Sequence, residues 1–113
     1  MKEFINAYME AVEFTECHSD NPEMQNADGF AKETLKRFKT DCEAFLDDDK
    51  TYNMIDGDLS QAGHDFWLTR NGHGAGFWDG DWPEADGEYL TAQSKKAGEC
   101  DIYVGDDNKI YVF

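Results

Sequence analysis

The stretch Asp65-Phe-Trp-Leu-Thr-Arg70, followed by Asn71-Gly-His-Gly-Ala-Gly76 and then Phe77-Trp-Asp79, decides the architecture. Read by alternation, Phe66 and Leu68 share one side of a short strand, with Trp67 and Thr69 on the other. Asn71-Gly72 is a turn signal, and the glycines after it reach backbone angles that other residues resist. The spacing therefore predicts a hairpin, with residues 76–79 as the returning strand.

Working outward, Ile102 to Val104 and Ile110 to Phe113 flank Gly105-Asp-Asp-Asn108 and predict a second hairpin. Ile102, Val104, Ile110 and Val112 share one face, and Tyr103, Tyr111 and Phe113 the other. Between the hairpins, a short helix from Asp86 or Gly87 to Ala97 ends on Gly98. Upstream, Phe4, Ile5, Tyr8 and Val12 recur at helical spacing within residues 1–14. A loop follows from Thr15 to Asn26. A second helix runs from about Asp28 to Leu46, with Ala31, Leu35, Phe38, Cys42 and Phe45 as its apolar stripe. It ends before Asp47-Asp48-Asp49, because carboxylates at a helix C-terminus oppose the macrodipole. The expected fold is α+β: two N-terminal helices packed on an antiparallel sheet of two hairpins, with a short connecting helix. It is one domain over 1–113, helical in 1–47 and sheet in 62–113. Phe38, Phe45, Phe66 and Leu68 are expected to be buried together.

The chain has 113 residues and a formal charge of −15, from 25 acidic and 10 basic side chains. That charge repels nucleic acid and anionic membrane, so neither is expected as a direct ligand. Leu, Ile and Val number only twelve, a composition that leans toward disorder. Eight Phe, five Tyr and three Trp oppose that reading and predict a small core rich in rings. No stretch approaches a membrane span, and charges interrupt the apolar residues of the first fourteen positions. Three cysteines, Cys17, Cys42 and Cys100, fit a reducing cytoplasm.

Residues 62–113, with GHDFWLTRNGHGAGFWD and the closing DIYVGDDNKIYV, resemble small proteins of tailed phages and related mobile elements. That family has no settled activity. The resemblance implies a phage or mobile-element product acting in a host bacterial cytoplasm, and it supplies no catalytic residues.

Two sets of residues are candidates for function. His64, Asp65, Arg70 and His73 surround the glycine-rich turn and are the types a metal-assisted hydrolase uses. Their spacing matches no common metal motif. Asp56-Gly-Asp58 and Asp79-Gly-Asp81 begin like calcium loops but lack the glycine at position six and the glutamate at twelve. No metal and no cofactor is therefore expected. Arg70 is expected to pair with Asp65 or Asp79 rather than to act in catalysis. Cys17-His18 has no identifiable third member of a nucleophilic triad.

The second set is acidic. Asp79, Asp81, Glu84, Asp86 and Glu88 interleave with Trp78, Trp82 and Tyr89, while Asp47 to Asp49 and Asp106-Asp107 form further groups. Of these, Asp79, Asp81, Trp82, Glu84 and Asp86 are expected to bind the partner. Carboxylates spaced like phosphates can occupy the basic groove of a nucleic-acid-binding protein, and aromatic rings among them add anchors. Crowding is expected to raise the pKa values of these acids. The preferred reading is a binding protein that inhibits or modulates a host nucleic-acid-handling or defence protein through this surface. A hydrolase at the glycine-rich turn is the alternative, and a virion or assembly protein the third. Oligomeric state and the partner's identity are not written in the sequence.

Overall fold

Residues 65–70, expected as a strand, are the second half of a helix. A computed structural model describes residues 2–17, 26–72, 76–78 and 82–112. In it Leu59–Arg70 is a helix in which Ala62, Gly63 and every residue from Asp65 to Arg70 are buried. Over Asp65–Arg70 the helix is buried all round, with Asp65, Thr69 and Arg70 among the buried side chains, so this stretch shows no 3.6-residue apolar stripe. The alternation of Phe66 and Leu68 against Trp67 and Thr69 has no sheet behind it.

The order of elements is α1 (Lys2–Val12), a π-helical turn (Glu13–Cys17), α2 (Lys32–Leu46), α3 (Asp49–Ile55), α4 (Leu59–Arg70), α5 (Glu84–Ala97), β1 (Ile102–Val104) and β2 (Ile110–Val112). The chain is thus α+β, with five α-helices and a single two-stranded antiparallel sheet among the described residues. The expected first hairpin is replaced by α4 and a turn at Gly76–Trp78, with Asp79 outside the described residues. Of the expected loop at 15–26, residues 18–25 also lie outside them, and its start is the π-helical turn.

α1 crosses α4 where Gly63 faces the Phe4 carbonyl and Ala7. Phe4, Tyr8, Phe38, Phe45, Phe66, Trp67 and Phe77 form the core with α4 at its centre. Phe45 stacks on Phe66 at 4.2 Å and on Phe77 at 5.9 Å. Phe38, Phe45, Phe66 and Leu68 are indeed buried together, through helix–helix packing rather than helix-on-sheet packing. On α2 the buried set includes Thr34, while Leu35 is 40% exposed. The Thr34 hydroxyl donates to the Ile110 carbonyl at 2.7 Å, which turns that face of α2 toward β2.

The run of aspartates does two things. α2 stops at Leu46, as the dipole argument requires, and Asp48 then caps α3 by accepting from the Thr51 amide at 3.0 Å. Helix α5 begins at Glu84, slightly before its expected start, and ends on Gly98 at φ 79°. As far as Val112 the C-terminal hairpin has the expected faces, with Ile102 opposite Val112, Tyr103 opposite Tyr111 and Val104 opposite Ile110, while Phe113 lies outside the described residues. Its turn places Asn108 at φ 62°, a conformation asparagine tolerates. β2 also bonds backward along the chain: Ile110 donates to Gly29, and Ala31 to Ile110. No helix among the described residues is long and apolar enough to cross a membrane.

Candidate functional site

The hydrolase set does not assemble. His64 is half-buried on α4. Asp65 is buried and accepts from Gln61 Nε2 at 3.0 Å and from Trp82 Nε1 at 2.8 Å. Arg70 lies five residues further along the same helix, about 140° away around its axis. Its guanidinium donates to Asp41 Oδ2 at 2.9 Å, Tyr8 Oη at 3.0 Å, the Gly98 carbonyl at 2.9 Å and the Ala97 carbonyl at 3.1 Å. The expected carboxylate partner of Arg70 exists, but it is Asp41. Asp65 faces a different neighbour because the segment is helical, and Asp79 lies outside the described residues, as does His73. Among the described residues no three His, Cys, Asp or Glu side chains gather as a metal set.

Arg70 is a structural clasp. It satisfies carbonyls at the end of α5, where a cation is also favoured by the helix dipole. Burial pushes the Tyr8 phenol and the Cys42 thiol up, the latter to about 12 with Asp41 adding to the effect, and burial raises the Cys100 thiol as well. The Cys42 and Cys100 thiols are buried and free, and neither has the lowered pKa of a nucleophile.

The acidic surface has more shape. The Phe77 amide donates to Thr69 Oγ1 at 3.1 Å, which ties the Gly76–Trp78 turn to α4. The Phe77 ring meets Trp82 edge-on at 5.6 Å. Gly87 lets α5 close on this turn, since a Cβ there would sit 2.6 Å from the Phe77 carbonyl oxygen. The result is a groove of about 420 Å³ lined by Phe77, Trp78, Trp82, Glu84, Gly87 and Glu88. Positions 84, 87 and 88 share one face of α5 by helical spacing.

This geometry redistributes the expected roles. Trp82 is 9% exposed and bonded to Asp65, so it belongs to the groove's floor and is not a free anchor. The exposed ring is Trp78, at 54%. Glu84 is exposed at the groove, whereas Asp86 is half-buried and does not line it. Asp79 and Asp81 lie outside the described residues. Sequence reasoning placed Glu88 and Trp78 in this acidic, aromatic group but not among the partner-binding residues. The i, i+4 pairing of Glu88 with Glu84 on α5 was the available signal.

Other acids are occupied locally. Asp48 is held below the usual carboxylate range by the Tyr89 hydroxyl and by Thr51, and Asp107 likewise by the Tyr111 hydroxyl. Tyr89 Oη lies 2.6 Å from Asp48 and Tyr111 Oη 2.7 Å from Asp107. These two carboxyls move opposite to the direction that crowding predicts, because each has hydrogen-bond donors of its own.

Comparison of the chain with protein-family models, with curated proteins and with solved structures returns no match.

Proposed function

We propose that this chain is a non-enzymatic acidic binding protein that engages the basic, nucleic-acid-binding surface of a partner protein. The observation that carries the reading is the groove in which exposed Trp78 stands beside Glu84 and Glu88 on a chain of net charge −15. Carboxylates on a helix face and an unburied indole are the complement of a surface built for phosphates and bases. The likeness of residues 62–113 to phage proteins makes a host nucleic-acid-handling or defence protein the proposed target, in the bacterial cytoplasm. The hydrolase alternative has less support, since Asp65 and Arg70 are engaged in separate structural networks.

The test is competition. Fluorescent duplex DNA is bound to each of a panel of basic bacterial DNA-binding proteins, and this chain is added at rising concentration. Displacement from at least one of them, weakening steeply between about 50 and 300 mM salt, is expected. Displacement from none, or displacement indifferent to salt, overturns the reading.

A further inference from the structure

We infer that the groove between the Gly76–Trp78 turn and α5 takes an arginine side chain of the partner, with its guanidinium stacked on Trp78 and bonded to Glu84 and Glu88. The inference rests on the acidic-binding reading above and specifies the ligand of that surface.

Three features point to a planar cation. Glu84 and Glu88 stand four residues apart on α5, where like charges repel. Neither has a cationic partner among the described residues. The ion pairs among the described residues join Arg37 and Arg70 to Asp41, and Lys39 to Glu43. The lysines of α5, Lys95 and Lys96, lie at its opposite end. An entering cation relieves this repulsion.

The second feature is Trp78. A large ring left 54% exposed at the lip of a groove offers surface to a cation, and an indole is the strongest of the aromatic cation acceptors. The third is rigidity. Thr69 holds the Phe77 amide, Asp65 holds the Trp82 indole, and Gly87 allows the helix to sit against the Phe77 carbonyl. A floor fixed at three points loses little order on binding. Guanidinium fits better than ammonium because it is planar, stacks on a ring and offers paired donors to carboxylates.

The experiment titrates the whole chain with acetylated, amidated hexa-arginine and with hexa-lysine at low salt. Calorimetry gives the affinity, and the Trp78 indole N–H is followed by NMR. Hexa-arginine is expected to bind about five-fold tighter than hexa-lysine and to shift the Trp78 signal more than those of Trp67 and Trp82. Trp78→Ala is expected to lower hexa-arginine affinity about five- to ten-fold and largely erase the preference for arginine. The double change Glu84→Gln with Glu88→Gln should weaken binding about ten-fold. The same loss of charge by Glu10→Gln with Glu13→Gln, exposed positions away from the groove, should weaken it far less. An unchanged indole signal of buried Trp67, whose N–H is held by Thr15 away from the groove, confirms that each variant is folded.

Two adverse results are separable. If both peptides bind equally, salt-dependently and without regard to Trp78, Glu84 and Glu88, the groove assignment is overturned and the acidic-surface reading stands. If neither peptide binds at low salt, both fall.

Discussion

Replacing Gly63 by alanine sets helix propensity directly against packing. Gly63 sits within α4, where glycine costs about 1 kcal/mol relative to alanine, so propensity alone predicts a more stable protein. The packing term has the other sign. A Cβ at this position would fall inside contact distance of the Phe4 carbonyl oxygen and 3.0 Å from Ala7 Cβ. The carbonyl belongs to the backbone of α1 and cannot rotate aside. The helices would therefore have to part by roughly 1 Å, enough to forfeit a quarter to a half of the dispersion across the gap. Rings seated at the crossing share that loss, with Phe4 6.0 Å from Phe66, and Tyr8 5.5 Å from both Phe66 and Trp67. Overpacking of this kind costs about 1–3 kcal/mol, and weakened ring pairs add roughly 1 more. After the propensity gain, Gly63→Ala should destabilise by about 1–3 kcal/mol, a fall of roughly 4–12 °C in Tm. Urea unfolding followed by circular dichroism measures it. Gly57→Ala, an exposed position with nothing within 4 Å of an added Cβ, is the control and should be close to neutral. A Gly63→Ala protein as stable as wild type, or more so, would refute the close crossing of α1 and α4.

Arg70→Met should cost about 3–5 kcal/mol in the same urea assay, because it leaves the Ala97 and Gly98 carbonyls and the Tyr8 hydroxyl without their donor. Asp41→Asn should cost less, since Arg70 keeps its other acceptors. Phe38→Ala removes a fully buried ring that meets Tyr8 at 5.2 Å and Trp67 at 6.3 Å, and should cost about 3–5 kcal/mol. Alkaline pH should unfold the protein progressively. Cys42 is pushed up to about 12 in the fold, against about 8.5 in an unfolded chain. Its stabilising contribution is therefore complete below about pH 8.5 and is lost as pH climbs toward 12. Tyr8, also raised by burial, acts in the same direction. Equilibrium unfolding from pH 8 to 11 should show stability declining, and Cys42→Ala should make that decline shallower.

The parts of the fold that the sequence makes legible are those with one wet side. α1, α2, α5 and the C-terminal hairpin each leave a face in water, so their periods of 3.6 or 2 survive in the residue order. The second half of α4, Asp65 to Arg70, has no wet side, and with it goes the pattern. Its run of Phe66, Trp67 and Leu68 reads equally well as a strand until something shows that it is enclosed. α3 was hidden for another reason. Asp47 to Asp49 is a stop signal for α2, and only Asp48's bond to the Thr51 amide reveals that it is also a start.

The site was half legible. The acidic, aromatic character of residues 78–88 is plain from composition. Which tryptophan faces solvent is decided by Asp65, which reaches across from α4 to hold Trp82. That contact spans seventeen positions and leaves no mark in local order.

Arg70 gathers groups that are distant along the chain, since its partners lie 62, 29, 28 and 27 positions away. During synthesis the order of events is then fixed. Tyr8 and Asp41 emerge before Arg70, but the carbonyls of residues 97 and 98 do not exist until the nascent chain is nearly at the hairpin. Until that segment is made, the helix end that the guanidinium closes is missing. The core around α4 also takes Phe77, Trp82 and Leu90 from the later segment, so a chain that stops short of them leaves rings uncovered, the condition that favours aggregation.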